Sequence, residues 1–467
     1  MPAAPQESFG QLNFAHAQLK DKRRTKRLVS LADRIHRHPG GTLPGKIKSP
    51  ADLKALYRMC DCDAVTHAAL MDAIRQRTLE LIDAFEGVVL IVHDTTELNY
   101  TAHKSLAEQL GQIGDGKGKG YICHNSLAVD PRPRERNTAA AAIGLTNQIL
   151  HHRIEVPEKE TQREHRERES RESRLWVQGT EGLPGEARLV DICDRGADTC
   201  EFLEHELNSG RSFVVRSSQN RTMLIGHGRA RKRHLLHDWL PSRPTVGERT
   251  VRVRSHDGKP SREAIVRVSF AAVQIVPPQV HKGEHGNEPL RLWVVRAAEI
   301  DPPEGEEPVQ WILLTNLPME NFAEALTVLR YYECRWVIEE LHKAQKTGCQ
   351  VEQLQFTHTD RLEPMIALLS GVAVALLNLR DASRHPAAKR QRATTLFNLD
   401  YVRILSAWRS KRVREEMTIH DFFMALARLG GHQNRKGDHP PGWLILWRGW
   451  TTLQAMLDGA EAIKTCG

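Results

Sequence analysis

The sequence lacks several features that would indicate secretion, a membrane span or a structural metal ribbon. It has 8 cysteines in 467 residues and no CxxC pair, which disfavours a zinc ribbon, a thioredoxin-type motif and disulfides. The longest apolar run, residues 365–377, is shorter than the about 20 residues that cross a bilayer and predicts a buried helix. The first 18 residues contain no apolar signal-peptide segment. We therefore expect a soluble cytoplasmic protein without a membrane partner.

Positive charge is concentrated in the first 60 residues. The chain carries 66 Lys plus Arg and 58 Asp plus Glu, a net charge of +8. Residues 1–60 hold 12 of the basic and 4 of the acidic residues, so 54 of each sign remain and the rest of the chain is neutral. Such a segment raises the expectation of a polyanionic partner for that part of the chain.

The basic segment has a helical pattern. Residues 20–28, KDKRRTKRL, lead into apolar residues at the spacing of one helix face, namely Leu28, Leu31 and Ile35. A second helix is predicted over residues 51–58, behind a Ser-Pro cap. Residues 1–75 are therefore predicted to form a helical DNA-binding domain. The alternative is a solvated basic surface with no ligand.

Two acidic residues follow apolar runs that are typical of buried strands. Residues 87–92 predict a strand that stops at His93 and Asp94, and residues 188–193 predict one that ends at Asp194. A carboxylate at a strand end projects from a rigid support. As a pair, these oxygens suit a hard cation such as Mg²⁺.

A third carboxylate lies on a helix predicted over residues 331–346. Its polar residues fall within one narrow stripe, which consists of Tyr332, Arg335, Glu339, Lys343 and Lys346. The opposite side is apolar and consists of Cys334, Val337, Ile338 and Leu341. The alternative is a solvated face with an ordinary ion pair. Three carboxylates can hold two Mg²⁺ ions for phosphodiester displacement, and neighbouring cations can hold phosphates. The pattern therefore favours a nuclease or phosphoryl-transfer enzyme acting on DNA.

The spacing Tyr332-x-x-Arg335-x-x-x-Glu339-x6-Lys346 resembles the YREK signature of the insertion-sequence-four family of bacterial DDE transposases. Further similarity lies in HDTTELNY (93–100), CDRGAD (193–198), FVVRS (213–217), RWVIEELHKAQKTG (335–348), LKDKRRTKRLV near the start and ALARLGG near the end. The resemblance runs in chain order along nearly the whole sequence. Residues 220–310 and 381–420 match loosely, although the basic cluster at 409–414 has a counterpart in the family.

The resemblance implies an α/β fold with three parts. Residues 1–75 would be the helical DNA-binding domain, and residues 76–372 an RNase H-like catalytic core with a β-rich insertion at about 220–310. Residues 373–467 would form a helical dimerisation domain.

The resemblance also implies a metal triad and a reaction. Asp94, Asp194 and Glu339 would bind two Mg²⁺ ions, with Mn²⁺ as a substitute, for cut-and-paste transposition. In this chemistry water nicks the transposon end and the freed 3′-OH attacks the opposite strand to form a hairpin. Water then reopens the hairpin, and the 3′-OH attacks target DNA. The expected partners are double-stranded DNA, at the inverted-repeat ends and the target, and a second copy of the chain in a synaptic homodimer.

DNA contacts are implied at further positions. Tyr332, Arg335, Lys343 and Lys346 would hold phosphates near the scissile bond. Trp311 occupies the family position of a Trp that stacks on a flipped base, with a core aromatic as the alternative. Trp336 keeps its family position beside Arg335. In the N-terminal domain the implied contacts are Arg27 and Arg58, with Arg23 and Arg24 as their basic neighbours.

Three functions of different classes remain open from the sequence. The first is a transposase, the second an RNase H-like nuclease or resolvase that cuts DNA without joining ends, and the third a catalytically inactive DNA-binding regulator. The presence of all three carboxylates argues against the regulator. Short inverted repeats flanking the gene would favour the transposase over both alternatives.

Overall fold

The computed structural model describes residues 7–132, 140–153, 161, 164, 170–226, 231–253, 261–278, 285–435, 438 and 440–466. The strands are β1 (Val89–Asn99), β2 (Gly111–Ile113), β3 (Gly118–Asp130), β4 (Ala141–His151), β5 (Leu189–Cys193), β6 (Ser212–Arg216), β7 (Thr222–Ile225), β8 (Lys232–Leu235), β9 (Gly247–Val253), β10 (Arg262–Ile275), β11 (Leu290–Glu299) and β12 (Gln310–Thr315).

The α-helices described begin with α1 (Phe9–Phe14), α2 (Lys22–Arg37), α3 (Leu43–Lys46), α4 (Pro50–Cys60) and α5 (His67–Asp83). Three short ones follow, α6 (Leu175–Gly179), α7 (Cys200–Asn208) and α8 (Leu236–Trp239). The remainder are α9 (Phe322–Glu333), α10 (Trp336–Lys343), α11 (Thr359–Ser383), α12 (Leu399–Ser410), α13 (Ile419–Leu429) and α14 (Trp443–Cys466).

The N-terminal helices form as their sequence patterns predict. The Asp21 side chain caps α2, and the predicted stripe is buried together with Ala32. Ser49 caps α4 by accepting a hydrogen bond from the Asp52 amide, with Pro50 in the first turn. The two helices therefore begin where the capping residues satisfy their free amide groups. The boundary predicted at residue 75 lies inside α5, which continues to Asp83.

The twelve strands of the described residues form one sheet, in the order β2-β3-β1-β5-β6-β12-β11-β10-β7-β8, with β4 paired to β3 and β9 to β10. The pairs β4–β3 and β3–β1 are antiparallel, whereas β1–β5 and β5–β6 are parallel. The inserted strands β7–β11 lie in the predicted β-rich region. They extend the same sheet, because β11 pairs with β12 and β12 pairs with β6.

The first strand is longer than predicted. β1 does not stop at His93 and Asp94 but continues to Asn99. Its parallel partner β5 ends at Cys193, while β3 remains paired with β1 as far as Gly120. The prediction of a strand end at Asp94 was therefore wrong, because antiparallel pairing on one side keeps the polar second half of β1 extended.

Helices cover both faces of the sheet. Leu90 and Val92 of β1 face a large core shared with α5, α10 and α11, whereas Val89 and Ile91 face the opposite side. A separate apolar core on the far face joins α6 and α7 to β5, β6 and β12. Apolar cores therefore pack on both faces of the sheet around the point where β5 ends and β1 continues.

The predicted buried helix over residues 365–377 is confirmed as part of α11. Its length and composition would allow it to cross a membrane, but 78% of its most apolar window is buried within the protein. The boundary predicted between residues 372 and 373 falls inside this continuous helix. Beyond it, α12, α13 and α14 share an apolar core of their own.

Candidate active site

Asp94 and Asp194 occupy equivalent positions on neighbouring parallel strands. The last pair in the register of β1 and β5 joins His93 to Cys193. The two aspartates are therefore the next residues on strands about 4.8 Å apart. Asp194 follows the end of β5 as predicted, whereas Asp94 lies in the middle of β1.

Asp94 is a nearly buried carboxylate. Its exposed fraction is 8%, and Oδ1 accepts a hydrogen bond from the Thr95 amide at 2.8 Å. Burial raises the pKa of Asp94 to about 7, and the Asp194 and Glu339 carboxylates add to this rise while Arg335 opposes it. A buried carboxylate is costly as an unpaired anion, so Asp94 favours a bound cation.

The helix that carries the third carboxylate is interrupted just before it. α9 ends at Glu333 and α10 begins at Trp336, so the single helix predicted over residues 331–346 is not continuous. The Arg335 and Val337 amides donate to carbonyls three residues back, at 3.0 and 3.1 Å. Such bonds tighten the helix locally, as in a 3₁₀ turn. A five-residue π-helix, Ala344–Gly348, then follows α10.

Arg335 connects two of the predicted triad residues. Its Nη1 lies 2.6 Å from Oδ2 of Asp94, and its Nη1 and Nη2 are each 3.4 Å from Oε1 of Glu339. The Glu339 side chain is 44% exposed, so it borders solvent while Asp94 lies behind it. The guanidinium therefore holds the two carboxylates together from residues 245 positions apart in the chain.

His342 joins this group, although the sequence pattern placed it one residue off the polar stripe. Asp94, Glu339 and His342 each offer one potential ligand atom, and these atoms lie within 4.8 Å of one another. Burial, reinforced by Lys346 and Arg335, lowers the pKa of His342 to about 3, so the imidazole is neutral near pH 7. Its Nε2 is buried without a hydrogen-bond partner among the described residues. A neutral imidazole beside two carboxylates is a donor set that fits a divalent metal ion.

Asp194 is adjacent to this donor group but is not part of it. Its Oδ1 accepts a hydrogen bond from the Gly196 amide at 2.9 Å and caps the short 3₁₀ turn Arg195–Ala197. Its charge nevertheless contributes to the raised pKa of Asp94. The second oxygen of Asp194 accepts no hydrogen bond from the described residues. The structure thus places all three predicted carboxylates in one region.

Tyr332 and Trp311 contact each other instead of extending the polar stripe. Tyr332 is only 5% exposed, and its ring lies 5.9 Å from that of Trp311 in an edge-to-face arrangement. Trp311 is half-buried on β12, the strand before α9. The stripe predicted from spacing is therefore interrupted, because the tightened turn after Tyr332 rotates it towards the core.

The two lysines of the predicted stripe, of which Lys346 also belongs to the signature, have different neighbours. Lys346, in the π-helix, acts electrostatically on His342. Lys343 is exposed, and its Nζ lies 5.9 Å from the ring centre of Trp443 on α14. Trp336 is 41% exposed, and the Arg335 guanidinium lies 5.3 Å from its ring centre. Lys346 and Trp336 thus neighbour His342 and Arg335, whereas Lys343 lies towards the C-terminal helices.

A buried polar network that sequence patterns did not indicate lies beneath the site. His93 Nε2 is 2.8 Å from Asp191, and the His93 Nδ1 accepts from or donates to Ser126 at 2.9 Å. Arg211 donates to Asp191 at 2.7 Å and to Glu206 at 2.9 Å. Burial and the Asp191 charge raise the pKa of Glu206. The network joins β1 to β5 directly behind the two aspartates.

The four arginines predicted to contact DNA lie on α2 and α4. Arg23, Arg27 and Arg58 are exposed, and Arg24 is half-buried. Asp52 pairs with Arg27 at 3.3 Å and with Arg34 at 3.0 Å. This shared carboxylate ties the basic face of α2 to α4 and leaves a cationic surface.

One comparison with known proteins bears on this N-terminal surface. Residues 6–65 match the model of a family described as transposase DNA-binding. The match covers α1 to α4, the region that holds the surplus of positive charge. The chain therefore carries a transposase DNA-binding domain at its N-terminus, which makes DNA its partner and supports a transposase.

Proposed function

We propose that the protein is a DDE transposase of the insertion-sequence-four type, a group that includes the transposase of transposon five. It would cut and join DNA at transposon ends through phosphodiester hydrolysis and strand transfer with a hairpin intermediate. The single observation that carries the proposal is the convergence of Asp94, Asp194 and Glu339 in a chain that begins with a transposase DNA-binding domain.

The strand arrangement supports an RNase H-like core for this chemistry. Three antiparallel strands, β4, β3 and β1, are followed by β5 and β6 in parallel to β1. The first carboxylate lies on the central strand of these five. In this arrangement the carboxylates lie where β5 ends and β1 continues.

Asp94, Asp194 and Glu339 would hold two Mg²⁺ ions, and His342 could contribute a nitrogen ligand. Such ions activate water and stabilise the charge on the attacking and leaving oxygens. Arg335 would move from the carboxylates to a DNA phosphate, since its planar guanidinium can bind phosphate oxygens in pairs. Lys346 would hold a neighbouring phosphate, and Trp311 would offer a partly exposed ring for base stacking.

Assembly on two DNA ends would require a homodimer. Trp443 and Trp450 are buried in the chain's own core, at 3% and 6% exposure, so a dimer contact would use other residues of the C-terminal helices. The last turns of α14 are more open, with Ile463 77% exposed.

We place the protein in the bacterial cytoplasm, associated with the nucleoid through DNA.

The test is a cleavage and joining assay on duplexes that carry the inverted repeats flanking the gene. Asp94→Asn and Glu339→Gln should each lower Mg²⁺-dependent cleavage by on the order of a thousandfold, the equivalent of about 4 kcal/mol in barrier height. End binding should remain near the level of the unsubstituted protein, because residues 6–65 are untouched. Retained cleavage in either variant would refute the triad.

The products distinguish the alternatives. Hairpin ends followed by insertion into a second DNA support the transposase. Cleavage without any joined product would instead favour a nuclease or resolvase, and binding without cleavage by the unsubstituted protein would favour a regulator.

A further inference from the structure

A basic cavity lies in the C-terminal helices, in a part of the fold distinct from both the carboxylates and α1 to α4. It has a volume of about 530 Å³ and lies between α12 and α13. The polar residues that matter for its chemistry are Ser406, Arg409, Ser410, Arg414, His420 and Arg428. Its walls rest on the separate apolar core of α12, α13 and α14.

One wall is a chain reversal fixed by specific hydrogen bonds. α12 ends at Ser410, and Lys411 adopts a left-handed conformation with φ of 57°. The chain therefore turns back, and the Arg414 amide donates to the Ser406 hydroxyl at 2.9 Å. This bond returns Arg414 to the turn of α12 that carries Arg409. Two arginines that are five positions apart are thus held at the mouth of one cavity.

The other wall is one face of α13. His420, Met424 and Arg428 are spaced four residues apart and therefore lie along the same side of the helix. Arg428 lies in the last turn of α13, across the cavity from the reversal. Three guanidinium groups consequently border the cavity from two separate segments.

These three arginines are available for a ligand. Arg409, Arg414 and Arg428 are exposed and form no ion pair with any described residue. The two acidic residues of the lining are already engaged: Glu416 pairs with Arg392 at 3.0 Å, and Asp421 accepts from the Thr418 hydroxyl at 2.8 Å. The three arginines also outnumber the two carboxylates of the lining, so the cavity carries a net positive charge that favours an anion.

We propose that this cavity binds the phosphate backbone of a DNA duplex, independently of base sequence. Guanidinium groups recognise phosphate oxygens in pairs, and backbone contacts of this kind position a duplex without reading its bases. Lys411 and Arg412 lie on the same reversal and extend the positive surface beyond the cavity. The inference rests on the DNA-binding part of the proposed function but not on the carboxylates. It gives the chain a second DNA contact besides residues 6–65.

The test measures binding of the full chain to a random-sequence duplex of about 30 base pairs, without divalent metal, at several salt concentrations. The variant is Arg409→Gln/Arg414→Gln/Arg428→Gln. We expect its affinity to fall about tenfold or more, and the slope of log affinity against log salt to decrease by about 0.9 for each phosphate that the variant no longer neutralises. An unchanged affinity and slope would overturn the proposal.

Two further variants separate this effect from misfolding and from general loss of charge. Arg291→Gln removes an exposed, unpaired arginine from β11 and should leave binding unchanged. Glu416→Gln removes a negative charge from the cavity rim and should strengthen binding, a gain that a damaged fold does not produce. The binding assay contains no divalent metal and measures no cleavage, so a failure of the catalytic proposal is distinguishable from a failure of this one.

Other ligands with phosphate groups are distinguished by competition. Inorganic phosphate or ATP at about 1 mM should displace the duplex no better than chloride at equal ionic strength, since a backbone contact depends on several phosphates together. Specific displacement by either compound, abolished in the triple variant, would replace the duplex with a small phosphate ligand. Preferential binding of an RNA hairpin, with the same sensitivity to the variant, would also overturn the assignment.

Discussion

The Nη1 atom of Arg335 lies 2.6 Å from Oδ2 of Asp94. The guanidinium is therefore the cation that pairs with the most buried carboxylate of the site. The same guanidinium is 3.4 Å from Glu339. It reduces the repulsion between two carboxylates that the fold brings together. The proposed catalytic state then requires this contact to be exchanged for a metal ion and a DNA phosphate.

The first prediction concerns that exchange. Arg335→Gln removes a competing cation and should increase the affinity for Mn²⁺ by roughly tenfold, the equivalent of about 1.4 kcal/mol. DNA cleavage should decrease in the same variant, because glutamine lacks the charge with which the guanidinium is proposed to hold a DNA phosphate. Calorimetric Mn²⁺ titration and the cleavage assay measure the two effects. Arg361→Gln, which removes a surface ion pair with Asp61, is the matched control. Unchanged Mn²⁺ affinity in Arg335→Gln would contradict the competition.

A second prediction follows from the raised pKa of Asp94. With the pKa of the folded protein at about 7 and the usual value at 3.8, the folded state binds the proton more tightly than the unfolded state. This contribution to stability is lost as the pH rises from about 4 to 7. Asp94→Asn should therefore raise the melting temperature by about 2–4 °C at pH 8, and the difference should shrink towards pH 5.

Differential scanning calorimetry of the metal-free protein measures this effect. Asp115→Asn, at an exposed position, serves as the control and should change little at either pH. A lower melting temperature for Asp94→Asn at pH 8 would indicate that the contact with Arg335 outweighs burial.

The third prediction concerns the network behind the site. Arg211→Met leaves Asp191 and Glu206 buried without their shared cation, and should destabilise the protein by about 3–5 kcal/mol. Glu206→Gln should have a much smaller effect, because burial already favours the protonated form of Glu206. Denaturant unfolding, followed by the fluorescence of the buried tryptophans, compares the two variants. Equal losses of stability would argue against a network centred on Arg211.

The fourth prediction tests the role of the C-terminal helices in pairing DNA ends. A Cβ at Gly449 would lie 2.0 Å from the Leu426 carbonyl oxygen, so Gly449→Val forces α14 away from α13. The variant should bind single ends but fail to pair two of them in a gel-shift assay. Gly459→Val is the control on the same helix, since no atom lies within 4 Å of a Cβ there. Normal pairing by Gly449→Val would contradict a role for this packing.

Local pattern was sufficient for much of the fold. The apolar stripe of α2, the cap of α4, the strand before Asp194 and the buried segment of α11 follow from spacing and residue type. The end of β1 was mispredicted, because its polar second half is kept extended by β3. No local signal reveals a partner strand that pairs on one side only.

Part of the site was equally invisible to spacing. Tyr332 faces Trp311, and His342 faces the carboxylates, because bonds to carbonyls three residues back tighten the turn at Arg335. A polar stripe predicted with a constant angle per residue does not account for this local tightening of the helix. His93 and Asp191 bond across two strands, so only the register of β1 and β5 reveals the buried network.

The order of amino acids alone was enough to locate the positive charge, the three carboxylates and several of the helices, since each depends on residues near one another in the chain. Tertiary structure decided which of these groups meet. The parallel register of β1 and β5 places Asp94 beside Asp194, and the tightened turn before α10 brings Arg335 and His342 to the same carboxylates. The reversal at Lys411 likewise turns Arg414 back towards Arg409. Backbone pairing and packing, rather than spacing in the sequence, decide which side chains converge.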